Sequence, residues 1–414
     1  MVIARVTSCT TRRLLFLGLV LIAASVFLRA QEGDEPAPVL KASALLTPAL
    51  LKGPHHSVAD AVATEGFFHQ FTVSSEFGSF EALGRSQLAV RIHEIDALFA
   101  LQDVSKTEVF LTAAGQSVVN VGKSAAGVVT DPSGTAKNMG SGVKRFGVNL
   151  GRRTKRAVDS SGDSGGDQKE EGNAATGAAN SVLGVNSAMR RWAQKVGVDP
   201  YTTNSVLRDA LESIAKVDSA GSIATKVVVP IPTVVGMTSS VGSLVWSKDP
   251  EEVRKINEQR LRDLRVPEAI AKALAGNRTF TLTAQTRLVA ALHAVNVPGC
   301  ADYVATAAVA TNEREALFFV ESAEMLQERH AREQVSKVLS DSRALVAALP
   351  GGKAVALLPL DWVRATSATT GVLRELAARA KEELGATTLV IHLTGRASPR
   401  MTKQIPALGW RMVG

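Results

Sequence analysis

The sequence predicts an α+β protein, mainly helical, with a small N-terminal β hairpin and a C-terminal β-α-β-α segment. Three observations carry this. Apolar residues recur at helical spacing through most of residues 181–349. Short alternating or continuous apolar runs stand near the two ends, at 68–83 and 354–393. Between the halves, residues 159–180 hold almost no large apolar side chain.

Taken in order, residues 1–30 read as a signal peptide. Arg5, Arg12 and Arg13 precede an apolar run from Leu14 to Leu28, and the chain turns polar after Leu28-Arg29-Ala30. The run falls short of the roughly 20 residues a spanning helix prefers. The expectation is therefore an exported chain, periplasmic or secreted. An uncleaved inner-membrane anchor over residues 14–28 is the alternative. Residues 31–64 hold Pro36, Pro38, Pro48 and Pro54 and read as a tether, with His55-His56 solvated on it.

Residues 65–158 form the N-terminal α+β region. Phe68–Val73 reads as a strand, Glu76–Ser79 as a turn and Phe80–Leu83 as the return. From Ser86, Leu88, Ile92, Ile95 and Leu98 mark a helix, with Arg91, Glu94 and Gln102 on its surface. Ser105-Lys106-Thr107-Glu108 resembles a capping box opening a second helix, which stops at Asp131-Pro132. Residues 159–180, with Asp159, Asp163, Asp167, Glu170 and Glu171 among glycine and serine, read as a disordered linker.

Residues 181–349 form the helical domain. Helices are expected at Ser187–Val196, Asn204–Val217, after Asp249-Pro250, after Pro267, at Thr283–Val295, and from Asn312 toward Leu339. Residues 227–246 are apolar but carry Pro230 and Pro232, so a buried extended segment is expected there rather than a membrane helix. Residues 350–414 are a C-terminal α/β segment packed on the helical domain. Its strands are Ala354–Leu358 and Thr388–Leu393, its crossover helix Val372–Leu384, and Ser398-Pro399 opens a closing helix.

Charge and cysteine narrow the function. The net charge of +8 falls to +4 once the four arginines of residues 1–30 leave with no acids. That excess is mild and argues against a nucleic-acid partner. Of the two cysteines, Cys9 lies in the leader, so Cys300 has no disulfide partner within the mature chain. No cofactor or metal site is expected. The pattern Gly115 to Ser124 has the wrong spacing for a phosphate loop. His93 and Asp96 share one helix face but supply only two ligands, so a histidine held by its neighbouring carboxylate is expected. His330 is expected on the surface, and Ser141-x-x-Lys144 matches a serine–lysine spacing inside a glycine-rich stretch.

One segment stands out. Residues 137–156 carry seven basic residues and no acid, among them Lys144, Arg145, Arg152, Arg153, Lys155 and Arg156. These six are the candidate contacts to an anionic surface: an anionic lipid, an envelope polymer or an acidic envelope protein. Balancing the acidic linker that follows is the other reading.

Residues 91–110 (R-I-H-E-I-D-A-L-F-A-L-Q-D-V-S-K-T-E-V-F), 131–146 (D-P-S-G-T-A-K-N-M-G-S-G-V-K-R-F) and 394–410 (T-G-R-A-S-P-R-M-T-K-Q-I-P-A-L-G-W) resemble a family of exported bacterial proteins with no assigned activity. The resemblance implies a bacterial envelope or periplasmic setting and carries no catalytic residue. The sequence thus points to a non-catalytic interaction module using its basic segment. A periplasmic hydrolase with a site assembled from distant residues is the alternative.

Overall fold

The computed structural model describes residues 33–105, 107, 174–218 and 235–413, with backbone alone for residues 174–183. Among the described residues, thirteen α-helices and twelve strands form three sheets, of five, five and two strands.

The first sheet is built from short strands with small side chains. Strand β1 (Val39–Lys41) pairs antiparallel with β3 (Ala61–Glu65), β3 with β4 (Phe68–Ser75), and β4 with β5 (Gly78–Leu83). Strand β2 (Ser57–Val58) lies on the β3 side of β4, because Val73 pairs with Val58 on one edge and Phe80 on the other. Helices α1 (Ala42–Leu45) and α2 (Pro48–Leu51) connect β1 to β2. The expected hairpin is therefore only the β4–β5 half of a five-stranded sheet, which corrects the fold class. The expected tether over residues 31–64 supplies the other three strands. Its prolines sit outside them, Pro48 at the first position of α2. Strand β3 buries only Val62 and Thr64, too little alternation to mark a strand in sequence.

Helix α3 (Arg85–Val104) lays Leu88, Ile92, Ile95, Leu98 and Leu101 on this sheet, as its period requires. Helices α4 (Ala174–Lys195) and α5 (Ser205–Val217) complete the core with Trp192, Val196, Leu207, Leu211 and Ile214. Residues 174–180, expected in the linker, are helical. The helix expected beyond Glu108 and the basic stretch 137–156 lie outside the described residues.

The helical body follows: α6 (Ser239–Ser247), α7 (Pro250–Asp263), α8 (Glu268–Gly276), α9 (Leu282–Val295), α10 (Cys300–Ala307) and α11 (Glu313–Arg332). Side-chain caps fix several starts. Asn204 accepts from Val206 and Leu207 N–H, Thr281 from Ala284, and Asn312 from Glu315. Trp246, expected in an extended segment, lies in α6 and donates its indole N–H to Val198 O at 2.9 Å. Helix α11 stops at Arg332, short of the expected Leu339, because the chain turns into a strand.

The last sheet is larger than the expected β-α-β-α tail. Strands β6 (Lys337–Val338), β7 (Leu345–Leu349), β8 (Lys353–Leu358), β10 (Thr388–Leu393) and β12 (Trp410–Val413) stand in the order β12-β10-β8-β7-β6. The β8, β10 and β12 strands are parallel, and β7 and β6 add antiparallel. Beyond the carboxy ends of β8 and β10, β9 (Trp362–Val363) and β11 (Arg396–Ala397) form a two-stranded parallel pair. Helix α12 (Ser367–Leu384) crosses from β9 to β10, and α13 (Pro399–Gln404) leads toward β12.

Alternation places two cores against this sheet. Leu345, Ala347, Leu349, Val355 and Leu357 meet the helical body, whose long helix α11 lies beside α9. Val346, Ala356, Leu358, Leu389 and Ile391 meet α12, α13 and Trp410. Each fully buried leucine or phenylalanine contributes roughly 1.5–3 kcal/mol, and with Cys300 a buried free thiol these cores supply what disulfides would otherwise add.

Candidate functional site

Three arrangements converge where the first sheet meets the carboxy ends of β8 and β10. The joint itself is made by Asp361, just beyond β8. Its Oδ2 accepts the His69 backbone N–H at 2.9 Å, and its Oδ1 accepts that of Arg85 at 3.4 Å. Arg85 opens α3, and Gly84 before it carries no side chain to cap the helix. A carboxylate from the far end of the chain therefore serves that helix start, where the amide dipoles favour negative charge. Phe67 O accepts from the N–H groups of Asp361 and Trp362. Gly395 permits the joint, since a Cβ there would stand 2.1 Å from Asp361 O.

A strap ties the same end of the sheet to the first described residues. Glu35 N–H donates to Ala365 O, while its carboxylate accepts from Ala365 N–H at 2.9 Å and Ser398 Oγ at 2.5 Å. Asp34 accepts from Ser367 N–H at 2.7 Å, which holds its carboxyl below the usual range. Arg400 donates to Gly33 O at 2.9 Å.

A polar cavity of about 120 Å³ lies between α3, the residues before α5, and α11. Glu94, expected on the surface, is 2% exposed and accepts from Arg91 at 2.6 Å, from Asn204 Nδ2 at 3.0 Å and from Thr202. This carboxylate is fully bonded and structural. His93 also lines the cavity, but its Nε2 meets Gly197 O at 3.0 Å rather than Asp96. Burial pushes the Asp199 carboxyl up to about 6, against hydrogen bonds from Thr283 and Tyr201 that pull it down. Burial likewise pushes Glu321 up to about 7, although Ser86 Oγ donates to it at 2.6 Å. Arg287, in a two-bond pair with Glu324, lies between these groups. The space suits a few waters, at roughly 30 Å³ each.

The second cavity is larger and different in kind. It encloses about 710 Å³ at the carboxy ends of β8 and β10. Phe67 and Phe68 come from the turn into β4, Phe318 and Phe319 from α11, Val372, Leu373 and Leu376 from α12, and Leu360, Val363, Leu393 and Ala397 from the strand ends. Polar groups gather at one end, where Thr311, Asn312, Arg314, Glu315 and Arg343 stand around the start of α11. Arg314 pairs with Glu65 at 3.0 Å and Arg343 with Glu315. Val372 and Phe67, 51% and 37% exposed, are two of the few large apolar side chains turned to solvent. Carboxy ends of parallel strands are the recurrent ligand position in α/β sheets.

The sequence-derived candidates fare unevenly. Lys144, Arg145, Arg152, Arg153, Lys155 and Arg156 lie outside the described residues, as does Ser141-x-x-Lys144. His56 is buried rather than solvated, and His55 stacks on Phe99 with ring centres 3.9 Å apart. His330 accepts the Val335 N–H at 3.1 Å in the turn after α11. Among the described residues no group of three or more His, Cys, Asp or Glu side chains is placed to hold a metal. None of the described helices is long and apolar enough to cross a membrane.

No family model, curated protein or solved structure matches this chain. The functional reading rests on the geometry.

Neither cavity was readable in sequence. Their walls come from residues hundreds of positions apart, such as Phe67 and Leu393. The one local signal was the strand–helix–strand pattern at 354–393, whose strand ends form the floor of the larger cavity.

Proposed function

We propose that this chain is an exported binding protein that holds an apolar small molecule in the cavity at the ends of β8 and β10. One observation carries the reading: a space of about 710 Å³, walled by four phenylalanines and aliphatic side chains, with its charged groups paired around the start of α11. Ligand sites commonly span about 300–1,000 Å³ and are mostly apolar with a few placed polar groups. The export setting rests on the leader sequence. The basic stretch 137–156 would give the same protein a contact to an anionic envelope surface or partner.

The test is a titration with an apolar naphthylamine fluorophore. Saturable binding near one dye per chain is expected, and an Ala344→Trp/Ala397→Trp variant that retains its native melt should lose it. Absence of saturable binding to the unaltered chain would end the reading. Neutralising Lys144, Arg145, Arg152, Arg153, Lys155 and Arg156 should leave dye binding intact while weakening recovery of anionic partners.

The hydrolase alternative has one observation of its own. Ser86, in the first turn of α3, donates to Glu321, whose carboxyl is pushed up to about 7 and could accept a proton. Ester hydrolysis assayed from pH 5 to 8, beside Ser86→Ala, decides it. Equal rates in the two proteins would reject this site.

A further inference from the structure

We infer that the occupant of the apolar cavity is an acyl chain of a bilayer phospholipid, taken up through the mouth that Phe67 and Val372 expose. This deepens the binding reading above and rests on it. Three features of the molecule support it.

First, the cavity is amphipathic along its length. Its floor and walls, among them Leu360, Leu373 and Leu393, offer no charged group, whereas its polar end holds two ion pairs, Arg314 with Glu65 and Arg343 with Glu315. An alkyl chain with a polar head that carries both charges matches that division, with the chain dry and the head beside the two ion pairs. Arg343 has a side chain 66% exposed, so a head group can reach it without being buried.

Second, the mouth itself is apolar. Val372 projects from the first turns of α12 and Phe67 from the turn between β3 and β4. A soluble polar ligand gains nothing from such a rim, whereas a lipid leaving a bilayer keeps apolar contact along its path.

Third, the strap fixes the first described residues beside that cavity. The strap at Gly33–Glu35 is bonded to Ala365, Ser367 and Ser398, each within a few residues of Val363, Ala368 and Ala397 in the cavity wall. On the alternative reading of residues 14–28 as an uncleaved anchor, the apolar run ends at Leu28, five residues before Gly33. Five residues reach at most roughly 18 Å when extended. A chain anchored in that way would keep the strap, and the sheet end it is bonded to, near the bilayer.

The experiment uses the full chain with vesicles of phosphatidylethanolamine and phosphatidylglycerol. The protein is re-isolated from the vesicles, and its bound lipid is counted by native mass spectrometry. Transfer of a pyrene-labelled acyl phosphatidylethanolamine to the protein gives the rate. Since all variants share the leader, its own affinity for vesicles cancels between them.

About one phospholipid per chain is expected, with occupancy reduced tenfold or more in Ala344→Trp/Ala397→Trp. Val372→Asp, at an exposed position that tolerates polarity, should slow uptake several-fold and leave the fold unchanged. Should the unaltered chain bind the naphthylamine dye yet take no lipid from vesicles, the lipid inference is overturned and the binding reading stands. Uptake of free fatty acid without phospholipid overturns it in the same way. Failure to bind either dye or lipid removes both. Lipid uptake that is equal in all three proteins assigns it to the leader and also overturns the inference.

Discussion

At the residue scale, Asp361 has the clearest predicted cost. It is a buried carboxylate whose acceptors serve two backbone N–H groups on another part of the chain. Asp361→Ala leaves the His69 and Arg85 amides without their partner, and such losses run at about 1–3 kcal/mol. Asp361→Asn keeps one oxygen acceptor and should lose less. Urea unfolding of the two variants, read by tryptophan fluorescence, gives the order. Gly395→Ala tests the same joint sterically. Its methyl group would overlap Asp361 O and Leu360 O, so β9 and β11 must separate, at a cost of about 2 kcal/mol or more. Residues of this kind are silent in sequence. An aspartate after a strand and a glycine near a turn look ordinary until a partner hundreds of positions away is in place. Glu94 is silent for another reason. A charged residue on an amphipathic helix reads as solvent-facing, and its burial is offset by Arg91 on the same helix together with Thr202 and Asn204 from a distant loop.

At the element scale, several helix starts were legible from their caps, although Asp249, the expected N-cap of α7, makes no capping bond and accepts from Arg190 instead. Asn204, Asn312 and Ser398 all accept the helix amides their positions promise. The crossover helix and its two flanking strands stand where their apolar runs put them. Sheet size was not legible, because strands as short as Lys337–Val338 and Trp410–Val413 carry too few residues for an alternation to register. They are strands because a neighbour of high apolar content offers them an edge. The strap is the element whose removal is most informative. Glu35→Ala deletes acceptors for Ala365 N–H and Ser398 Oγ. It should leave the helical body protected from hydrogen exchange while amides near the start of α12 exchange faster. Uniform loss of protection would show instead that the strap supports the whole fold.

At the scale of the whole molecule, the two raised carboxyls set a pH dependence. Asp199 and Glu321 bind a proton more tightly in the folded chain, near pH 6 and 7, than in the unfolded one. Between the ordinary carboxylate range and about pH 7 the folded state therefore holds more protons, and their contribution to stability falls as pH rises. His69 and His392, lowered by burial, act in the opposite sense below their ordinary range. A variant isolates the acid term. Glu321→Gln should raise stability at pH 7.5 by on the order of 1 kcal/mol and change it little at pH 5. Urea midpoints at the two pH values measure it, and an equal shift at both would show that the carboxyl is not perturbed.

The strap also imposes an order of events. Its partners, Ala365, Ser398 and Arg400, come near the end of the chain. A polypeptide made amino end first holds Gly33–Glu35 in waiting until residues 330 to 367 positions further on have been made. The bonds of the strap to Ala365, Ser367 and Ser398 therefore belong to the last stage of folding, after the sheet end that carries them has been made.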